Sequence, residues 1–186
     1  EELIVRNHYN ELTVSFAERK GERRRMDVVF RVFNDGLGFR YFLPNNGLKC
    51  ENFCIHEELT EITLAHDAKA WSIPSNRTEY FEGIYTADLL SRKDTVCTPL
   101  TIEYEDSLFL AIHEAALEDY ASMNIAPLSP PEGGTIDVAH KNKAMEAPSG
   151  AAGGALCLLT ALTPWQSGVK VYCEGETKSP WRTIII

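Results

Sequence analysis

Two short stretches carry the residue types that could do chemistry. The first is Ala111-Ile112-His113-Glu114-Ala115, followed by Asp119-Tyr120, where an imidazole and carboxylates come at the end of the apolar run Leu108 to Ile112. Sites usually sit in loops at the ends of rigid strands, and this spacing predicts that a strand gives way to such a loop here. His113 could act as acid, base or ligand near neutral pH. Glu114 is a hard oxygen donor of the kind Ca2+ takes, but that ion wants about six to eight oxygens. Its partners would have to come from elsewhere. The plainer reading of His113-Glu114 is a local polar pair at a strand end. No His-Glu-x-x-His is present at this spot, which excludes a zincin there.

The second stretch is Trp71-Ser72-Ile73-Pro74, then Glu79-Tyr80-Phe81-Glu82-Gly83-Ile84-Tyr85. Rings such as Trp71 and Tyr80 can stack on sugar faces, and a carboxylate such as Glu82 accepts hydrogen bonds from hydroxyls. Packing in a core or at an interface is the competing use of large aromatics. Glu79 and Glu82 lie too close in sequence to stand convincingly as the paired carboxylates of a glycosidase. His56 with Glu57 and Glu58, and His66 with Asp67, read as solvated turn residues. There is no Gly-x-Ser-x-Gly elbow, and the glycines of Ala144 to Gly154 lack the Gly-Lys-Ser/Thr of a phosphate loop. No complete catalytic set emerges.

These residues must be positioned by strands, because the dominant hydrophobic period is two. Leu12, Val14 and Phe16 alternate with polar neighbours, as do Met26, Val28, Phe30 and Val32. Asn34-Asp35-Gly36 then predicts a hairpin into Leu37 to Leu43, with glycine tolerating a positive φ. Further strands are expected at Glu61 to Ala65, Leu100 to Glu105, Leu108 to Ile112, around Ile136 and Val138, from Val169 to Cys173 and from Thr183 to Ile186. Leu108 to Ile112 is continuous enough to suggest cover on both faces. A turn or two of helix is expected only at Ala87 to Arg92, and loops at Pro127 to Gly134 and Ala144 to Gly154. The whole reads as one all-β sandwich domain over residues 1–186.

The gross numbers agree. A length of 186 residues, 44% of them hydrophobic, can bury a core without staples. A net charge of −9 argues against nucleic acid or an anionic membrane as partner. The one basic cluster, Lys20 to Arg25, sits between two strand-like runs and reads as a solvated turn. Apolar runs fall far short of the roughly 18 residues of a membrane span. The five cysteines are odd in number and lack zinc-finger spacing, so most are expected to be small buried hydrophobes.

Several ordered segments resemble the amino-terminal domain of glycoside hydrolase family 97. They are Asn7-His8-Tyr9-Asn10-Glu11-Leu12, Met26 to Tyr41 with Gly38-Phe39-Arg40-Tyr41, Trp71-Ser72-Ile73-Pro74, Thr98 to Ile102, His113-Glu114-Ala115 with Asp119-Tyr120, and Ser179-Pro180-Trp181-Arg182 to Ile186. The resemblance implies a β-super-sandwich related to galactose mutarotase, packed on a catalytic (β/α)8 barrel of the same chain. It also implies that strands before Glu1 are lacking here. The intact enzyme would be an α-glucosidase or α-galactosidase, periplasmic or secreted, acting on α-linked glucosides or galactosides. In the inverting type this domain lends one glutamate to an active-site Ca2+, and Glu114 matches that position. Its side chain is then expected to point outward, to where the neighbouring domain docks. His113, Trp71, Tyr80, Glu82 and Trp181 are the candidates for substrate or domain-interface contact, and no residue of this chain is expected to be catalytic.

Two other readings compete. An autonomous carbohydrate-binding module needs an exposed aromatic platform, with Trp71, Tyr80 or Trp165 as candidates. A mutarotase-like epimerase needs a histidine and a glutamate converging on one concave face, His56 or His113 with Glu114.

Overall fold

The structure is a computed structural model that describes residues 7–44, 52–75, 83–104, 107–128 and 155–186. Tyr80 and Glu82, and the strand expected around Ile136 and Val138, lie outside the described residues. The strands in chain order are β1 (Asn10–Ala17), β2 (Arg25–Phe33), β3 (Gly36–Leu43), β4 (Asn52–Ile55), β5 (Glu61–Leu64), β6 (Lys69–Ser72), β7 (Thr86–Leu89), β8 (Val96–Cys97), β9 (Leu100–Glu103), β10 (Phe109–Ala115), β11 (Met123–Leu128), β12 (Leu156–Leu162), β13 (Val171–Glu174), β14 (Thr177–Lys178) and β15 (Trp181–Ile185). The described chain is thus all-β, apart from a 3-10 turn at Leu90–Arg92. That turn is what remains of the expected helix. Ala87 to Leu89 belong to β7 instead.

Contacts divide the chain into two units. One comprises 1–56, 110–122 and 164–186, the other 57–109 and 123–163. In the first unit β1, β2, β3, β15 and β10 pair antiparallel in that order. A short β14 also pairs β3, and β13 pairs β4 as a separate ribbon. The Lys20 to Arg25 cluster caps the β1–β2 hairpin, where Glu18 bonds Arg24 through both side chain and backbone. Asn34 and Asp35 form the β2–β3 turn, since Phe33 already pairs Gly36. Gly36 is required there by crowding, not by a positive φ. A Cβ on it would meet the Ile184 carbonyl oxygen at 2.5 Å, on the neighbouring strand.

Parity fixes the two sides of this sheet. Val28, Phe30, Phe39, Tyr41, Ile112 and Ile184 share one side, with Phe30 and Phe39 directly opposed at 5.9 Å between ring centroids. Arg31, Arg40, Trp181, Thr183 and His113 share the other.

The second unit holds β9–β6–β7 and β5–β12–β11–β8, all antiparallel. Leu100, Ile102, Ile125, Leu158 and Leu162 form much of its core. β12, flanked by β5 and β11, is buried along most of its length, as a central strand should be. Its neighbour β11 accepts Pro127 because β8 pairs only Asn124 and Ile125, so no ladder bond is asked of the proline. The acidic residues expected in solvated turns are partly structural. Thr60 Oγ1 donates to the buried Glu58, and Ser91 Oγ and two backbone amides donate to Asp67. Of the described cysteines, Cys173 is buried and Cys54 exposed, and all four are free thiols. Burial holds the Cys173 thiol above its ordinary pKa.

Candidate functional site

β10 does not end where a loop was expected. It runs through His113 and Glu114 to Ala115, and its pairing with β15 sets Glu114 opposite Arg182. Strand parity then assigns the sides. Ile112 and Glu114 turn inward, while His113 and Ala115 are exposed. Phe109 is also exposed, so this strand is covered on one face and not on both.

Glu114 therefore does not point outward. Its side chain is 8% exposed and that of Arg182 1%. Arg182 Nη1 donates to Glu114 Oε2 at 2.8 Å, and the Tyr120 ring lies 5.7 Å from the guanidinium carbon. A buried charge is costly unless paired and hydrogen-bonded, and this pair meets that condition. Arg182 was not singled out in the sequence. The signal was there: it alternates with apolar Ile184, and Glu114 shares the parity of Ile112. His113 and Glu114, being on opposite sides of one strand, do not converge as an acid–base pair.

Calcium can be tested against this geometry. Among the described residues no group of three or more His, Cys, Asp or Glu is gathered to hold a metal ion. The one carboxylate proposed as ligand is already bonded to a cationic side chain. The described residues alone do not gather the roughly six to eight oxygens that a Ca2+ ion takes.

The other side of the same strands carries a different arrangement. Trp181, next to Arg182, faces away from the ion pair and lies between two guanidiniums. Arg31 and Arg40 each stand 4.5 Å from its ring. Arg31 also sits 4.4 Å from the Tyr9 ring and donates through Nε to Glu11 at 2.8 Å. Beside this stack opens a 320 Å3 cleft lined by Arg31, Phe33, Asp35, Trp181, Thr183 and Ile185, among others. Its walls are apolar with a few polar groups. Asp35 is its one acidic side chain, so it offers no carboxylate pair for hydrolysis.

Trp71, in the second unit, is engaged locally. Its indole N–H donates to Glu103 Oε2 at 2.9 Å, and Lys69 lies over its ring at 4.5 Å while bonding the same carboxylate. Lys69 first, and the indole second, hold the Glu103 carboxyl below its ordinary pKa.

A family model described as "Glycosyl-hydrolase 97 N-terminal" matches residues 1–186. This chain belongs to glycoside hydrolase family 97, as its amino-terminal domain. A solved family 97 enzyme from Pseudoalteromonas sp. strain K8, in complex with acarbose, is 33% identical to it with a TM-score of 0.74. A variant of that enzyme in complex with panose gives the same identity and TM-score. In both, the match covers 96% of this chain and 23% of the other, so the family 97 domain spans about a quarter of those enzymes. A β-arabinopyranosidase is 18% identical with a TM-score of 0.70, a likeness of fold. The fold class is the all-β sandwich of the family 97 amino-terminal domain.

Proposed function

We propose that this chain is a non-catalytic domain of an α-glycosidase, packed on a catalytic (β/α)8 barrel of the same polypeptide, and inactive alone. The intact enzyme would hydrolyse α-linked glucosides or galactosides, in the periplasm or outside the cell. The observation that carries this reading is the match of all 186 residues to an amino-terminal domain of glycosidases about four times as long.

In the same proposal Ca2+ enters with the barrel, and Glu114 is the single ligand from this chain. The resemblance of His113-Glu114-Ala115 supports this, together with the place of Glu114 next to the last residue of β10. Because Arg182 holds the carboxylate, the ion must share or displace a guanidinium, and its affinity must come mainly from ligands outside this chain. A cation bound to the folded state raises its stability. In the intact enzyme, saturating Ca2+ should raise the melting temperature, and Glu114→Gln should reduce that shift. The intact enzyme should cleave a chromogenic α-glucoside or α-galactoside, and the 186-residue domain neither. Hydrolysis by the domain alone overturns the non-catalytic reading. An unchanged calcium shift in Glu114→Gln removes only the metal role.

An autonomous carbohydrate-binding module is the second reading. The observation in its favour is an exposed aromatic pair, Trp165 with Tyr172.

A further inference from the structure

We propose that Trp165 and Tyr172 form a binding site for a pyranose ring of an α-linked oligosaccharide. The choice of sugar rests on the function proposed above. The placement of the site rests on the geometry that follows.

Trp165 opens a tight turn before β13. Its backbone N–H donates to Val169 O at 2.8 Å, and Gly168 N–H donates back to Trp165 O at 2.9 Å. Gly168 has φ +85°, a conformation that disfavours any side chain, so the turn is specified by its sequence. Tyr172 projects from β13 beside it. The two ring centroids are 6.3 Å apart at an interplanar angle of 63°, and Tyr172 Oη shares a 2.7 Å hydrogen bond with Ser167 Oγ of the turn. The turn and the tyrosine ring are therefore set before any ligand arrives, which lowers the entropy cost of binding. Yet Trp165 is 63% exposed and Tyr172 56%.

The other tryptophans show the contrast. The face of Trp71 is covered by Lys69, and Trp181 is held between two arginines. Among the described residues no cation lies over Trp165. The surroundings specify the ligand. Tyr172 pairs Cys54 and Glu174 pairs Asn52, so the solvent side of the β4–β13 ribbon carries Asn52, Cys54, Tyr172 and Glu174, all exposed. The opposite side buries Val171 and Cys173. Two fixed rings within a polar rim suit a ligand with an apolar face and hydroxyls around its edge, which is a pyranose.

The test titrates the intact enzyme with maltoheptaose, cooled so that hydrolysis is negligible, and reads binding by calorimetry, with the catalytic site giving the first event. A second, saturable binding event is expected. Trp165→Ala should weaken it about tenfold or more, with kcat on a small α-glucoside and the melting temperature unchanged. Trp71→Ala should leave it as in the wild type. Absence of a second event, or a Trp165→Ala protein that binds like the wild type, overturns the site. If the intact protein cleaves no α-glycoside but Trp165→Ala still abolishes maltoheptaose binding, the enzymatic reading falls and this site stands.

Discussion

Trp181 and Trp165 lie in the same unit, fewer than twenty residues apart, and their environments are opposite. Around Trp181 most groups are answered by another, although Arg40 Nε is buried with no hydrogen-bond partner among the described residues. Two arginines take the ring, a glutamate takes one of those arginines, and the adjacent Arg182 takes Glu114 on the far side of the strand. Around Trp165 a turn and a tyrosine fix the ring, and its surface is left to solvent. Charges and rings interlocked between paired strands help a fold to hold its register. A rigid ring with open faces does little for folding, and is better explained by binding.

The sharpest way to break this comparison is at Arg182. Arg182→Ala leaves the Glu114 carboxylate buried without its guanidinium, and removing one partner of a buried pair costs about 3–5 kcal/mol. Urea denaturation should show a correspondingly lower midpoint. Because the single variant can fail to fold, the double replacement Arg182→Met with Glu114→Leu is the control. It removes both charges, and should recover most of the loss. If the single variant is as stable as the wild type, the pair does not lock β10 to β15.

Next in size is the direct contrast between the two tryptophans. Trp181→Ala forfeits a packed ring and two cation–π contacts, about 2–3 kcal/mol. Trp165→Ala, at an exposed position, should change stability by no more than about 0.5 kcal/mol. Equal losses in the two variants, measured by the same urea titration, would show that Trp165 is a structural residue and would weaken its assignment to binding.

Much of this frame was legible beforehand. Period-two alternation located β1, β2, β5, β9 and β13, the Asn34-Asp35-Gly36 turn signal located β3, and apolar runs located β10 and β15. The unread strands have specific causes. β11 contains Asn124 and Pro127, which argue against a strand until the shortness of β8 is known. β12 follows a glycine-rich stretch, and its near-continuous burial leaves no alternation to read. The site was misread for one reason. Glu114, matched by resemblance to a metal ligand, was expected to face outward to a neighbouring domain, whereas the parity of β10 beside Ile112 turns it inward. A one-residue change in parity turns every side chain over. The partner Arg182 lies 68 positions away and is visible only once β10 and β15 are paired.

The smallest expected effect concerns the third tryptophan, and it sharpens the contrast at its intermediate case. Glu103 receives hydrogen bonds from Lys69 and from the Trp71 indole, which together depress its pKa, Lys69 more strongly. A carboxylate with a depressed folded pKa adds stability at pH values above its unfolded pKa, and that contribution is lost as the pH falls through the folded value. The group is solvent-exposed, so the consequence is best read as a titration rather than as unfolding. Trp71→Phe keeps a ring for Lys69 and deletes the indole donor. The Glu103 pKa, followed by carboxyl-carbon NMR, should then rise toward the ordinary glutamate range, by less than it rises in Lys69→Met. If it does not move, the indole is not held by Glu103, and Trp71 joins Trp165 as a ring free to meet a ligand.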